Sequence, residues 1–274
     1  MTVKKILESR AFVYLVLFII TLAVVFHSTY NPFNFRRMQV DSSVYVAISD
    51  RIARGGVLPY KDLADNKGPL TYLISVPGLF LCGVTGIWIT QFIIILVSVL
   101  FAFKTALFFA GKYKALLGVL FSFILAINFF YVGAGTGEYS LPFLMISIYI
   151  FTKYYFTKKE ACFPELIVLG ICFSSAIMIR LNMFPLWAGF CLVIFVESIK
   201  KQKYTQLLKY ICGFLLGILF VFLPILIYLK ANGIFNYFLD QAIFGGTARG
   251  FSGVTLKYMV QNFYDVLRKK FFTS

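Results

Sequence analysis

Eight stretches of this chain run apolar for fourteen residues or more, separated by short polar joints, and that pattern decides most of what it can fold into. They lie at about 11–29, 69–82, 86–110, 114–132, 139–156, 162–179, 183–199 and 206–229. A soluble core would not use so much hydrocarbon: over 274 residues the chain is 60% hydrophobic, with a mean hydropathy of +0.86. Strands of a membrane barrel would alternate apolar and polar residues, and these runs do not. The expected fold class is therefore an all-α membrane protein, a polytopic helical bundle.

Charge supports the same reading. Lys and Arg number 26 against 11 acids, a net charge of +15, which in a soluble protein would suggest nucleic acid. Here the basic residues fall mainly at the ends of apolar runs, where they orient helices and meet anionic membrane lipid, so no nucleic-acid partner is expected. The five cysteines, at 82, 162, 172, 191 and 212, form no close pair and read as small buried hydrophobes rather than a disulfide framework or a zinc site. One histidine, His27, is too few for metal chemistry built on imidazoles.

Lys4, Lys5 and Arg10 precede the first run and no small-residue cleavage site follows it, so 11–29 reads as a retained transmembrane helix with a cytoplasmic N-terminus. Residues 30–69 then lie outside. The next run decides the side of every later loop. Its fourteen residues make about 21 Å of helix against a hydrocarbon core of roughly 30 Å, and Pro77-Gly78 interrupts it. If it does not cross, Lys112/Lys114, Lys153/Lys158/Lys159 and Lys200/Lys201/Lys203 all fall inside; if it does, all fall outside. We therefore read 69–82 as interfacial or re-entrant, leaving seven spanning helices. That arrangement places the 131–140 turn with Glu138, the 180–183 turn with Arg180 and the 230–253 loop on the outer face. Residues 254–274 read as an outer-surface amphipathic end, or as the point where a longer chain is truncated.

The one long water-compatible stretch is Asp41–Leu70, DSSVYVAISDRIARGGVLPYKDLADNKGPL, which holds four of the eleven carboxylates. Val44, Ile48 and Ile52 share a helical face, Asp41 stands where an N-cap would, and Gly55-Gly56 stands where such a helix ends. Taken singly, Asp41 reads equally as a cap, and Lys67 as a cation snorkelling to headgroups. Glu138 and Arg180 shift that balance, because ionisable residues at a membrane boundary are functional candidates. Two carboxylates and two cations converging on one face are the equipment for moving a group off a phosphate-bearing lipid: cations stabilise the departing phosphate and a carboxylate takes a proton from the attacking hydroxyl.

Asp41, Tyr45, Gly55/Gly56, Pro59-Tyr60, Asp62 and Lys67-Gly68-Pro69-Leu70, in that order, resemble the first outer loop of the bacterial GT-C glycosyltransferases, relatives of the protein O-mannosyltransferases and the lipid A aminoarabinose transferase. EYSLPF from Glu138 and IRLNM from Ile179 resemble that family's second acidic position and a later basic one. The resemblance implies a single GT-C-like module over 1–274, with 30–69 as the catalytic loop. It implies transfer of a sugar from a polyprenyl-phosphate donor to a glycan, lipid or protein acceptor outside the bacterial inner membrane. Asp41 and Glu138 would be catalytic, with Lys67, Arg180, Tyr60, Asp62 and Tyr45 on the carrier phosphate and substrate. The family's first acidic pair is Asp41-Ser42 here, which leaves a divalent metal open and assigns no metal ligands. Other readings are a lipid-linked glycan flippase or transporter component, and a truncated inactive transferase.

Overall fold

The structure is a computed structural model that describes residues 9–33, 40–130, 133–157 and 160–244. The expectations for Lys4, Lys5, Lys158, Lys159 and the 254–274 segment fall outside the described residues. Every apolar run is helical: α1 Arg10–Phe26, α5 Val84–Ala106, α6 Lys112–Phe130, α7 Thr136–Thr157, α8 Phe163–Ile179, α9 Pro185–Lys200 and α10 Tyr204–Ala231 are the long ones. Between α1 and α5 come α2 Val40–Ala53, α3 Leu70–Leu73 and α4 Val76–Cys82; after α10 come α11 Phe235–Phe238 and a π-helical turn, Leu239–Phe244. No strand occurs among the described residues.

Starts are written locally. Ser9 Oγ accepts from the Phe12 N–H at 3.1 Å to cap α1. At α8 the Glu165 carboxylate reaches back to the Cys162 N–H at 3.2 Å and Pro164 occupies the first turn, while Pro185 opens α9. Among the described residues, three helical stretches are long and apolar enough to cross a membrane: Val84–Ala106, Leu181–Lys200 and Tyr204–Ala231. The bundle's exterior is hydrocarbon, with Phe80, Leu192, Phe220 and Phe109 all more than 60% exposed. Small residues set the closest helix pair: a Cβ on Gly217 would stand 2.1 Å from the Ile167 carbonyl oxygen, and one on Gly170 2.1 Å from that of Phe214, so α8 and α10 meet backbone to backbone.

The long helices alternate in direction. One end of the bundle gathers Tyr30, Leu79, Ile87, Ala134, Tyr139 and Ile179 into one apolar cluster, and there Trp88 Nε1 donates to the Val25 carbonyl at 3.0 Å. The opposite end gathers the Lys153–Glu165 ion pair, the Tyr154 hydroxyl on Glu197 at 3.1 Å, Lys203 on Glu160 at 3.2 Å and the Phe109–Phe156 ring pair. The polar stretch 40–70 sits wholly at the first of these, called here the loop end.

The 69–82 run is broken. α3 and α4 are four and seven residues long, about 6 and 10 Å, and Gly83 at φ +57° turns the chain so that α4 lies back against the start of α5. Gly78 and Gly86 touch at that crossing, where a Cβ on Gly86 would stand only 1.8 Å from the Gly78 carbonyl oxygen.

Three details differ from expectation. The helix opens at Val40, so Asp41 is a first-turn residue rather than the cap. Its buried face is Tyr45, Ile48 and Ser49, whereas Val44 is 44% exposed, because the helix docks on α3 and α4 one position round from the aliphatic stripe. Gly55, at φ +76°, does end it, with the Gly56 N–H returning to the Arg51 carbonyl at 3.0 Å. Four of the five cysteines are exposed rather than buried, since the bundle's outer surface is itself apolar; all five are free.

Candidate functional site

The loop after α2 is a tight, internally bonded turn. Leu58 N–H donates to Asp62 Oδ2 at 2.8 Å, Tyr60 N–H donates to the Leu63 carbonyl at 3.0 Å, and Tyr60 sits at φ +69°, a strained backbone for a non-glycine residue. The Tyr60 ring is 1% exposed, and its hydroxyl donates to the Lys67 carbonyl at 2.7 Å. Tyr60 and Asp62, expected to touch a ligand, thus have their polar atoms engaged in shaping the loop. Gln241, from the π-helical turn, clasps it from outside: its Oε1 accepts from the Asp65 N–H at 3.1 Å and its Nε2 donates to the Tyr60 carbonyl.

The loop then docks on the end of α8. Gly68 N–H and Thr71 Oγ1 both donate to the Ile179 carbonyl, at 3.2 and 3.0 Å. The approach is so close that a Cβ on Gly68 would stand 2.0 Å from the Met178 oxygen. Lys67 precedes one partner of this contact and Arg180 follows the other, so the two cations flank a single hydrogen bond. Arg180 is exposed in extended backbone, φ −151°, because α8 ends at Ile179.

Tyr45 ties the remaining groups to that point. Burial pushes its hydroxyl up to about 12; the charges of Asp65 and Asp41 act in the same direction and Arg180 opposes them. Asp41, Tyr45, Asp65 and Arg180 therefore share one electrostatic neighbourhood. Asp41 is exposed, and among the described residues the side chains of Asp41, Lys67 and Arg180 have no hydrogen-bond or ion-pair partner.

Glu138 occupies a different layer. It is 3% exposed, and its Oε2 accepts from the Gly133 N–H at 3.0 Å and from Gln91 Nε2 at 3.3 Å. Gln91 Oε1 in turn accepts from the Ser28 hydroxyl, which itself takes the Tyr30 N–H at 3.1 Å. The Tyr30 hydroxyl donates to the Ser42 carbonyl at 3.3 Å and lies within the field of Glu138, so the carboxylate sits beneath the start of α2. The residue expected as a second acid is thus buried below the loop rather than open at its surface. The carboxylate takes the Gly133 N–H of the turn before α7 and, through Gln91 and Ser28, links α1, α5 and α7. Glu138 Oε1 is buried without a hydrogen-bond partner.

Three residues escaped the sequence reading. Asp65 sits in DNKGPL, but nothing distinguished it from Asp62. Its Oδ1 takes the Asn66 N–H at 2.6 Å, while buried Oδ2 completes no hydrogen bond and lies in the electrostatic range of Tyr45, Tyr60 and Tyr72. Burial raises the Tyr60 and Tyr72 hydroxyls well above the ordinary tyrosine range, and the Asp65 charge adds to both. Gln91 lies 47 residues from its partner Glu138 and Gln241 lies 176 residues from its partner Asp65, both beyond any local signal. No cluster of three or more His, Cys, Asp or Glu with metal-binding geometry occurs among the described residues.

Among known families, the model described as "Putative competence-induced protein Ccs4 N-terminal domain" matches residues 3–252. No curated protein and no solved structure matches the chain.

Proposed function

The chain belongs to the Ccs4 N-terminal domain family, and from the geometry of its docked loop we propose that it is an integral-membrane glycosyltransferase of GT-C type. It moves a sugar from a polyprenyl-phosphate donor to a cell-envelope acceptor, a glycan, lipid or protein, on the outer face of the bacterial inner membrane. The observation that carries this reading is the Gly68–Ile179 contact, which holds Lys67 and Arg180 on either side of one point next to Tyr45 and Asp41. Two cations without partners there suit a lipid phosphate, and exposed Asp41 suits the acceptor hydroxyl.

In the reaction the acceptor oxygen attacks the anomeric carbon as its proton passes to Asp41. The bond from that carbon to the phosphate oxygen breaks, and the phosphate leaves with its negative charge held by Lys67 and Arg180. Tyr45 lines the site between the two functions. Glu138 serves from below, fixing the turn and the start of α2. The resemblance of the 41–70 motif to the GT-C first loop supports the same assignment.

The seven long helices all cross the bilayer in this reading. The 17-residue α1 and α8 fall at the short end of the spanning range. Orientation follows from charge. At the far end Lys104, Lys112, Lys114, Lys153 and the lysines of 200–209 outnumber Glu160, Glu165 and Glu197, whereas among the described residues of the loop end six acids stand against six bases. The far end is therefore cytoplasmic and α3–α4 is a re-entrant hairpin on the outer side.

The test is transfer from a panel of radiolabelled polyprenyl-phosphate sugars in membranes containing the full chain. Asp41→Asn should abolish transfer with the protein still folded and membrane-inserted. Full activity in that variant refutes the assignment.

A further inference from the structure

A cavity of about 400 Å³ lies between α7, α8, α9 and α10, far from the docked loop. Phe151, Leu166, Trp187, Cys191 and Phe214 are among its walls, and almost all its lining is apolar. Its outer wall is α9, whose backbone comes close to α10 while its side chains reach α7 and α8: Phe190 stacks on Phe151, and Trp187 donates to Ser147 Oγ and packs on Phe173. Leu192 and Phe195 belong both to the cavity wall and to the exposed outer surface, 63% and 47% exposed, so the slot opens sideways onto the face that hydrocarbon would cover. Along α9 it runs from Trp187 to Phe195, eight residues or about 12 Å.

Tyr154 and Tyr210 close the far end of this slot and also line a second cavity of about 430 Å³. That chamber is polar, with Glu160, Glu197, Lys201 and Lys203 on its walls. An apolar slot joined end-on to a polar chamber has the shape of a lipid, one chain and one headgroup. The charges specify the headgroup. Lys201 pairs with Glu197 and Lys203 with Glu160, each side chain a third or more exposed, so among the described residues the chamber walls are neutral and the pairs are weakened by solvent screening. A phosphate alone would draw both lysines and leave two carboxylates facing an anion. A headgroup with a phosphate and a primary ammonium exchanges both pairs and strands neither partner, and its N–H groups match the carboxylate acceptors.

We propose that the two cavities form one binding site for a zwitterionic aminophospholipid of the cytoplasmic leaflet. Its phosphate lies on Lys201 and Lys203, its ammonium on Glu160 and Glu197, and one acyl chain runs up the slot to Trp187. The proposal rests on the bundle spanning the membrane, and not on the transferase chemistry at the other end.

Trp88 and Trp187 are the only two tryptophans, so a Trp88→Phe chain reports from the slot alone. In phosphatidylcholine vesicles, a minor fraction of phosphatidylethanolamine brominated in mid-chain should quench Trp187 several-fold more than its mole fraction gives. Brominated phosphatidylglycerol should quench only in proportion. The double variant Glu160→Gln/Glu197→Gln should erase that preference, and Ala188→Phe, filling the wall, should reduce quenching by both lipids. Equal quenching by both headgroups, a preference for phosphatidylglycerol, or indifference to Ala188→Phe overturns the proposal. Native mass spectrometry of the unmodified chain gives a parallel reading, with one phosphatidylethanolamine retained after detergent exchange where phosphatidylglycerol is lost; equal retention would sink the idea. Transfer by Asp41→Asn is read separately, so the two assignments fail independently.

Discussion

Replacing Gly68 with alanine should undock the 57–70 loop while leaving the bundle intact. The added Cβ would stand 2.0 Å from the Met178 oxygen and 2.4 Å from its carbonyl carbon, against an ordinary C···O approach of about 3.3 Å, so the loop must retreat by more than ~1 Å. That retreat breaks the Gly68 and Thr71 hydrogen bonds to the Ile179 carbonyl, about 1 kcal/mol each, and adds roughly 1–3 kcal/mol of crowding if it is resisted. A total of roughly 3–5 kcal/mol lowers the docked-to-undocked ratio by about 10²-fold to more than 10³-fold. Hydrogen exchange followed by mass spectrometry reads this directly: protection in 60–72 should fall by up to that factor, with α5 and α10 unchanged. Gly56→Ala is the control, because nothing lies within 4 Å of its Cβ position. Unaltered protection in Gly68→Ala, or equal loss in Gly56→Ala, would show that the loop is not held by the end of α8.

Arg180→Lys should recover only part of the transfer lost in Arg180→Ala, because an ammonium cannot reproduce a two-pronged guanidinium contact with phosphate; full recovery would argue for a simple point charge. Single-cysteine chains test orientation: an impermeant maleimide added to intact cells should label Cys82, at the loop end, and spare Cys162, at the far end, both being exposed in the fold, and the reverse pattern would invert the topology. Glu138→Gln keeps an acceptor for the Gly133 N–H and the Gln91 amide and should melt near the parent chain, whereas Glu138→Ala strands both donors at about 1–3 kcal/mol each. Equal melting temperatures for the two would deny Glu138 its structural work.

The helices are legible because long apolar runs leave the backbone few other ways to satisfy its hydrogen bonds. Pro77-Gly78 marks 69–82 as unable to form one long rod, although the break itself falls at Ile74–Ser75 and Pro77 sits in the first turn of α4. What the sequence could not carry was the meaning of individual polar residues. Tyr60, Asp62 and Lys67 look alike as polar residues in a loop, yet two of them close the turn and only the third leaves its charged group without a partner. Glu138 stands out as an ionisable residue at the edge of an apolar run, but nothing in the sequence shows that its carboxylate takes the Gly133 N–H and the Gln91 amide. The stripe on α2 was misjudged by one residue because side-chain hydrophobicity favoured Val44, while packing on α3 and α4 favoured the bulk of Tyr45. Gln91 and Gln241 were invisible as partners, since their work is fixed by residues tens to hundreds of positions away.

The clasp of Gln241 on the loop ties the order of synthesis to the onset of competence. Its partners Tyr60 and Asp65 lie 181 and 176 positions earlier, so at about 5–20 residues per second the ribosome takes roughly 10–40 s to deliver the clasp after the loop itself has emerged. Throughout that interval the Tyr60 carbonyl and the Asp65 N–H must be served by water, and the strained Tyr60 backbone is held only from within its own turn. The loop is thus among the first polar segments to be synthesised and among the last to be set.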